Sequence, residues 1–212
     1  MTDQTTTSTT TTATSNPSGE LVGPAIARAR RADAQRNVEK LVATAREAFA
    51  AEGPNASLDD IARKAGVGSG TLYRHFPTRV ALLEAVYRDG VQRLCEEGNR
   101  LLETDLPPDE ALVSWLHGFV GYVAVKRGLA GPLTSALGQD SGLFTECRTM
   151  LEATGGQLLK RAQAAGLIRS DVASHDILRL ASAIAHAGEM SGEGAALSER
   201  LLGIAMDGLR RT

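Results

Sequence analysis

Residues Gly66–Phe76 read GVGSGTLYRHF, followed by Pro77. Three glycines within five residues predict a turn. The residues after them predict a helix of about eight residues, roughly 12 Å long. At 100° per residue, Leu72 and Phe76 share one face, and Gly70 and Arg74 lie opposite, flanked by Thr71 and Tyr73. Only two large apolar side chains hold this helix down. Its outer face bears polar groups and, at Gly70, no side chain at all, so another surface can approach its backbone closely.

The flanks are helical. Val38, Leu41, Val42, Ala45 and Phe49 recur at the spacing of one helix face within a pattern running from Pro24 to Ala51, stopped by Gly53 and Pro54. Ser57-Leu58-Asp59-Asp60 has the form of a capping box, followed by the apolar stripe Leu58, Ile61, Ala62 and Ala65 up to Gly66. Thr78 can cap a fourth helix, patterned by Val80, Leu83, Val86, Tyr87, Val91 and Leu94, to about Glu103. Helix, glycine turn, short helix is the helix-turn-helix plan, whose second helix enters the major groove of DNA, about 12 Å wide.

After Pro107-Pro108 a fifth helix is expected over Asp109–Arg127, then a segment made irregular by Gly128, Gly131 and Pro132 as far as Leu137. Helices over Leu143–Ala165, Ser174–Met190 and Ala195–Arg210 complete the chain. No stretch alternates as a strand would, so the expected fold is all-α, with about nine helices. Residues 1–23 are Thr-rich and, after Met1, nearly free of large apolar groups; they are expected to be a disordered tail. The expected domains are 24–78, the helix-turn-helix unit, and 79–212, a helical body.

Charge divides along the same line. Residues 21–80 carry ten Lys/Arg against six Asp/Glu, and residues 81–212 carry thirteen against seventeen, within a chain of net charge -2. A basic N-terminal module suits a polyanion. Two cysteines, Cys95 and Cys147, without a CxxC or Cys/His cluster, argue against a zinc site or disulfide framework. The four histidines have no ligand spacing. GVGSG follows a helix rather than a strand, and so is not a dinucleotide fingerprint. The expectation is a cytoplasmic protein that is not an enzyme and holds no cofactor or metal.

The run SLDDIARKAGVGSGTLYRHFPTRVALLEAVY (Ser57–Tyr87) resembles the DNA-binding domain of tetracycline-repressor-type (TetR) transcriptional regulators. The second half is similar to the SbtR-type C-terminal domain. The resemblance implies a homodimeric repressor that binds a palindromic operator in double-stranded DNA and is released by a small-molecule effector. It places Ser69, Gly70 and Thr71 where bases are met, and Tyr73, His75 and Arg79 where phosphates are met. Arg74 is a further candidate contact. Asp59 and Asp60 stand where some relatives carry cations. Arg28, Arg30, Arg31 and Arg36 lead into the first helix as a basic arm suited to phosphates or a minor groove.

In the body, the resemblance implies a ligand pocket inside the helical bundle. Trp115, Phe119, Tyr122, Phe144 and Met150 are the candidate lining, with His186 as a polar group. The last two helices (174–190 and 195–210) are rich in small residues, and the resemblance makes them the dimer interface. Two alternatives stand beside this reading: a thiol-based redox sensor using Cys95 or Cys147, and a helical protein-interaction module that does not bind DNA.

Overall fold

The structure, a computed structural model, describes residues 24–211. The expected tail, residues 1–23, and the side chains of Arg30 and Arg31 lie outside the described residues. The described residues form eight helices: α1 (Pro24–Glu52), α2 (Leu58–Lys64), α3 (Ser69–His75), α4 (Arg79–Leu102), α5 (Pro108–Leu137), α6 (Gly142–Ala164), α7 (Ser174–Ser191) and α8 (Ala195–Leu209). The described residues hold no strand, only an isolated antiparallel bridge between Ile168 and Arg210. None of their helices is long and apolar enough to cross a membrane.

The chain divides into two compact units, Met1–Arg36 and Asn37–Thr212. In the first, Arg28 is exposed and Arg36 pairs with Asp33 one turn before it. The second contains the core. There α1 buries Leu41, Val42, Ala45 and Phe49, α2 buries Leu58, Ile61 and Ala62, and α3 buries Leu72.

The caps follow the local sequence. Ser57 Oγ accepts from the Asp60 amide, while the Asp60 carboxylate turns to Arg63, so half of the capping box forms. Gly66 ends α2 at φ +72°, with the Gly66 amide donating to Arg63 and the Val67 amide to Ala62. This closure requires a left-handed residue, which glycine adopts without strain. Thr78 Oγ1 accepts from the Ala81 amide and opens α4.

The body is built around Trp115. Its side chain is fully buried, its Nε1–H donates to the Leu94 carbonyl at 2.8 Å, and its ring stacks on Phe119 with centroids 5.8 Å apart. Glycines make room for it on both sides. A Cβ at Gly98 would lie 2.9 Å from the indole nitrogen, and one at Gly155 would lie 2.8 Å from the ring carbons. The C-terminus of α4 is closed from α6: the Arg161 guanidinium donates to the carbonyls of Leu101, Leu102 and Thr104. A cation there complements the negative end of the helix.

One expected boundary is corrected. The segment after Gly128 is not irregular; α5 continues through Pro132 to Leu137. Pro132 has no N–H to give the Gly128 carbonyl, and its ring crowds that group, which disfavours a helix. Tertiary burial outweighs the loss, because Leu129 and Leu133, on either side of Pro132, are both buried.

Candidate nucleic-acid interface and ligand cavity

On α3 the inward and outward residues separate as the wheel predicts. Leu72 and Phe76 are buried, whereas Ser69, Gly70, Tyr73 and Arg74 are exposed and Thr71 and His75 are half-buried. Tyr73 keeps 46% of its surface exposed, whereas Tyr87 on α4 is buried. A Cβ added at Gly70 would meet nothing within 4 Å, and Gly70 is not among the positive-φ glycines. Neither packing nor backbone geometry within the chain therefore requires glycine at this position. His75 turns partly inward, with its Nε2 buried and without a hydrogen-bond partner.

Arg79 has a structural task besides any external one. Its Nη1 donates to the carbonyls of Pro54 and Ala56, at 3.0 and 2.6 Å, and so ties the start of α4 to the loop between α1 and α2. Asp89, farther along α4, pairs with Arg46 of α1 at 2.9 Å. Two polar links thus fasten α4 to the helix-turn-helix unit, and the same helix continues into the body.

There, a cavity of about 680 Å³ opens between α4, α5, α6 and α7. Tyr87, Phe119, Phe144, Leu151 and Leu178 give it apolar walls; Lys126, Arg148, Glu152, His175 and Arg179 give it charged or ionisable ones. Its size lies within the range of about 300–1,000 Å³ typical of small-molecule sites. A second cavity, of about 470 Å³, lies against the other side of Tyr87 and Lys126 and is lined by Tyr122, Arg46 and Arg93. Lys126 Nζ sits 5.3 Å from the Tyr87 ring centre and 6.0 Å from that of Tyr122. The Tyr122 hydroxyl is buried, and desolvation, reinforced by the neighbouring Tyr87, drives its pKa far up, so it stays a neutral phenol.

The six residues grouped from the sequence as pocket lining go to different places. Phe119 and Phe144 line the larger cavity and Tyr122 the smaller. Trp115 is a core residue lining neither, Met150 is 44% exposed, and His186 is exposed on α7. The charged wall was not legible in the sequence. Lys126, Arg148 and Arg179 lie on three helices, and no local spacing connects them. Cys95 and Cys147 are both buried and unpaired. Burial raises the Cys147 pKa and so holds it as a thiol, the unreactive form, which gives a redox-sensing role no support.

A glycine turn, a short helix with an outward polar face and a cavity-bearing helical body define a helix-turn-helix protein with a ligand-sized chamber. Comparison with known proteins gives the family. Residues 41–86 match the family described as bacterial regulatory proteins, tetR family, and residues 107–211 match the C-terminal domain of SbtR-like transcriptional regulators. The TetR transcriptional regulator SCO0520 from Streptomyces coelicolor is 42% identical, over 82% of this chain and 99% of that one, with a TM-score of 0.74. A TetR transcription regulatory protein from Mycobacterium vanbaalenii is 37% identical, over 86% and 99%, with a TM-score of 0.69. The chain belongs to the TetR family of transcriptional regulators. It is also 44% identical over 62 residues to the regulator TtgW of Pseudomonas putida, a match spanning 29% of this chain and 46% of that protein's length.

Proposed function

We propose that this chain is a cytoplasmic homodimeric repressor that binds a palindromic operator through α3 and leaves it when a small molecule occupies the C-terminal body. Residues 24–78 form the DNA-binding domain in this reading, and residues 79–212 the ligand-binding and dimerisation domain. The observation that carries it is the outer face of α3. The side chains of Tyr73 and Arg74 are exposed and make no hydrogen bond or ion pair within the described chain, and Gly70 leaves a gap between them that internal packing does not explain.

Ser69, Gly70 and Thr71 meet base edges; Tyr73, His75 and Arg79 meet phosphates, with Arg74 beside them and the arm residues Arg28, Arg30 and Arg31 on the neighbouring backbone or groove. Tyr73→Phe is expected to weaken binding about three- to tenfold, the effect of one hydrogen bond, and to do so equally for all DNA sequences. Competition gel shifts on specific and random duplexes check this; a changed sequence preference would move Tyr73 from phosphate to base contact.

The dimer reading rests on the exposed side of α7 and α8. Ile177, Ile184, Leu202 and Met206 are buried in the chain's own core, yet Ile204 is 69% and Leu180 42% exposed, with the small residues Ala183 and Gly203 also at the surface. Apolar side chains with small residues beside them allow close helix packing, as a four-helix interface between two copies needs. Ile204→Asp is expected to shift the protein from dimer to monomer at micromolar concentration, read by sedimentation velocity. Two-fold symmetry then sets operator half-sites about 34–36 Å apart.

Release is transmitted by α4 in this scheme. Tyr87 lines the larger cavity about 12 Å along the helix from Arg79, whose guanidinium is bonded to the α1–α2 loop. Selection of bound duplexes from a random pool, repeated with candidate effectors, tests the whole proposal. Enrichment of a palindrome supports it, and failure to retain any duplex overturns it.

A further inference from the structure

The charges in the larger cavity do not balance. Lys126 comes from α5, Arg148 from α6 and Arg179 from α7, against one carboxylate, Glu152. Neither the Arg148 nor the Arg179 guanidinium has an ion pair or hydrogen bond within the described chain, although Glu152 stands one helical turn from Arg148. His175, also on the wall, faces Asp176 at 3.1 Å. Most other arginines of the body are engaged: Arg88 with Glu146, Arg169 with Asp171, Arg200 with Glu193, and Arg161 with three carbonyls.

Cations gathered in a cleft with low-dielectric walls focus a positive potential into it. Their guanidinium groups can take a carboxylate or similar acid through paired hydrogen bonds. A ligand cation is disfavoured by like charge from Lys126, Arg148 and Arg179, and Lys126 already lies over the Tyr87 ring that faces the cavity. The remaining wall is apolar: Phe119, Phe144, Leu151 and Leu178.

We infer that this cavity takes an amphipathic anion, its acid group held by Arg148 and Arg179 and its apolar body lodged against Phe119, Phe144 and Leu151. Lys126 contributes long-range attraction, and Glu152 is left to accept from a donor on the ligand. The inference deepens the effector-site reading and rests on it only for the claim that occupancy reaches DNA; binding itself is measured separately.

The test uses three probes with one body and different heads: 6-phenylhexanoate, 6-phenylhexanol and 6-phenylhexylammonium, titrated into the full chain by calorimetry. The carboxylate is expected to saturate one site per protomer at least about tenfold more tightly than the alcohol, and the ammonium to bind weakest. Arg148→Gln and Arg179→Gln, both at exposed positions, are each expected to lose about tenfold for the carboxylate while leaving the alcohol unchanged. No saturable carboxylate binding, an alcohol that binds as well, a preferred ammonium, or carboxylate affinity unchanged in both variants overturns the inference. Operator binding is followed on the same protein. Carboxylate binding without any DNA binding removes the regulator reading and leaves the cavity assignment intact; DNA binding without carboxylate binding does the reverse.

Discussion

Gly70→Glu is expected to abolish operator binding, with a loss of at least about 100-fold, and to leave the fold intact. Placing a carboxylate against phosphate or base edges costs several kcal/mol in an interface, and about 2.7 kcal/mol already corresponds to that factor. The fold tolerates it because a Cβ at this position has open space around it and the backbone is not left-handed. Glycine inside a helix is itself unfavourable by roughly 0.5–1 kcal/mol relative to alanine, so thermal stability is expected to hold or rise slightly. A gel shift and a thermal melt on the same preparation read both halves. Normal DNA binding by this variant would remove the outer face of α3 from the interface. Gly70→Ala, with no charge and one added carbon, gives a smaller loss if close approach is what matters.

Trp115→Ala is expected to have the largest effect on stability, about 3–5 kcal/mol for truncating a buried aromatic. Four contacts fail together: the stack on Phe119, the bond to the Leu94 carbonyl, and the close packing against Gly98 and Gly155. Those glycines are shaped to the indole, and neighbouring helices cannot close the gap without moving α4 and α6. In a chain of this size each kcal/mol lowers the melting temperature by about 2–4 °C, so a fall of roughly 10 °C is expected by calorimetry. Trp115→Phe should lose less, keeping much of the stack and forfeiting the hydrogen bond. A loss below about 1 kcal/mol in the alanine variant would mean that the body repacks freely around this position.

Trp115 also shows where sequence reading loses its hold. As the only tryptophan, on an apolar helix face, it stands in the sequence among the candidate pocket-lining residues. Pocket and core have the same composition, because both are apolar surfaces removed from water. What separates them is whether neighbouring helices fill the space. Gly98 and Gly155 fill it closely around Trp115, while Phe119, four residues on, faces an opening. The continuation of α5 past Pro132 is a similar case. Local propensity argued for a break, and burial of Leu129 and Leu133 against other helices prevailed.

The helix-turn-helix was readable because its signals are local. Ser57 bonds to the amide three residues away, Gly66 shapes its own turn, and Leu72 and the C-cap Phe76 bury the inner side of α3. Each depends on neighbours within about one turn, which a linear pattern records faithfully. The large cavity has no such record. Tyr87, Lys126, Arg148 and Arg179 come from four helices and meet only because α4 to α7 pack around a shared core. Backbone geometry and side-chain periodicity were written into the order of residues; the meeting of distant charges, and with it the character of the chamber, came from how the helices pack.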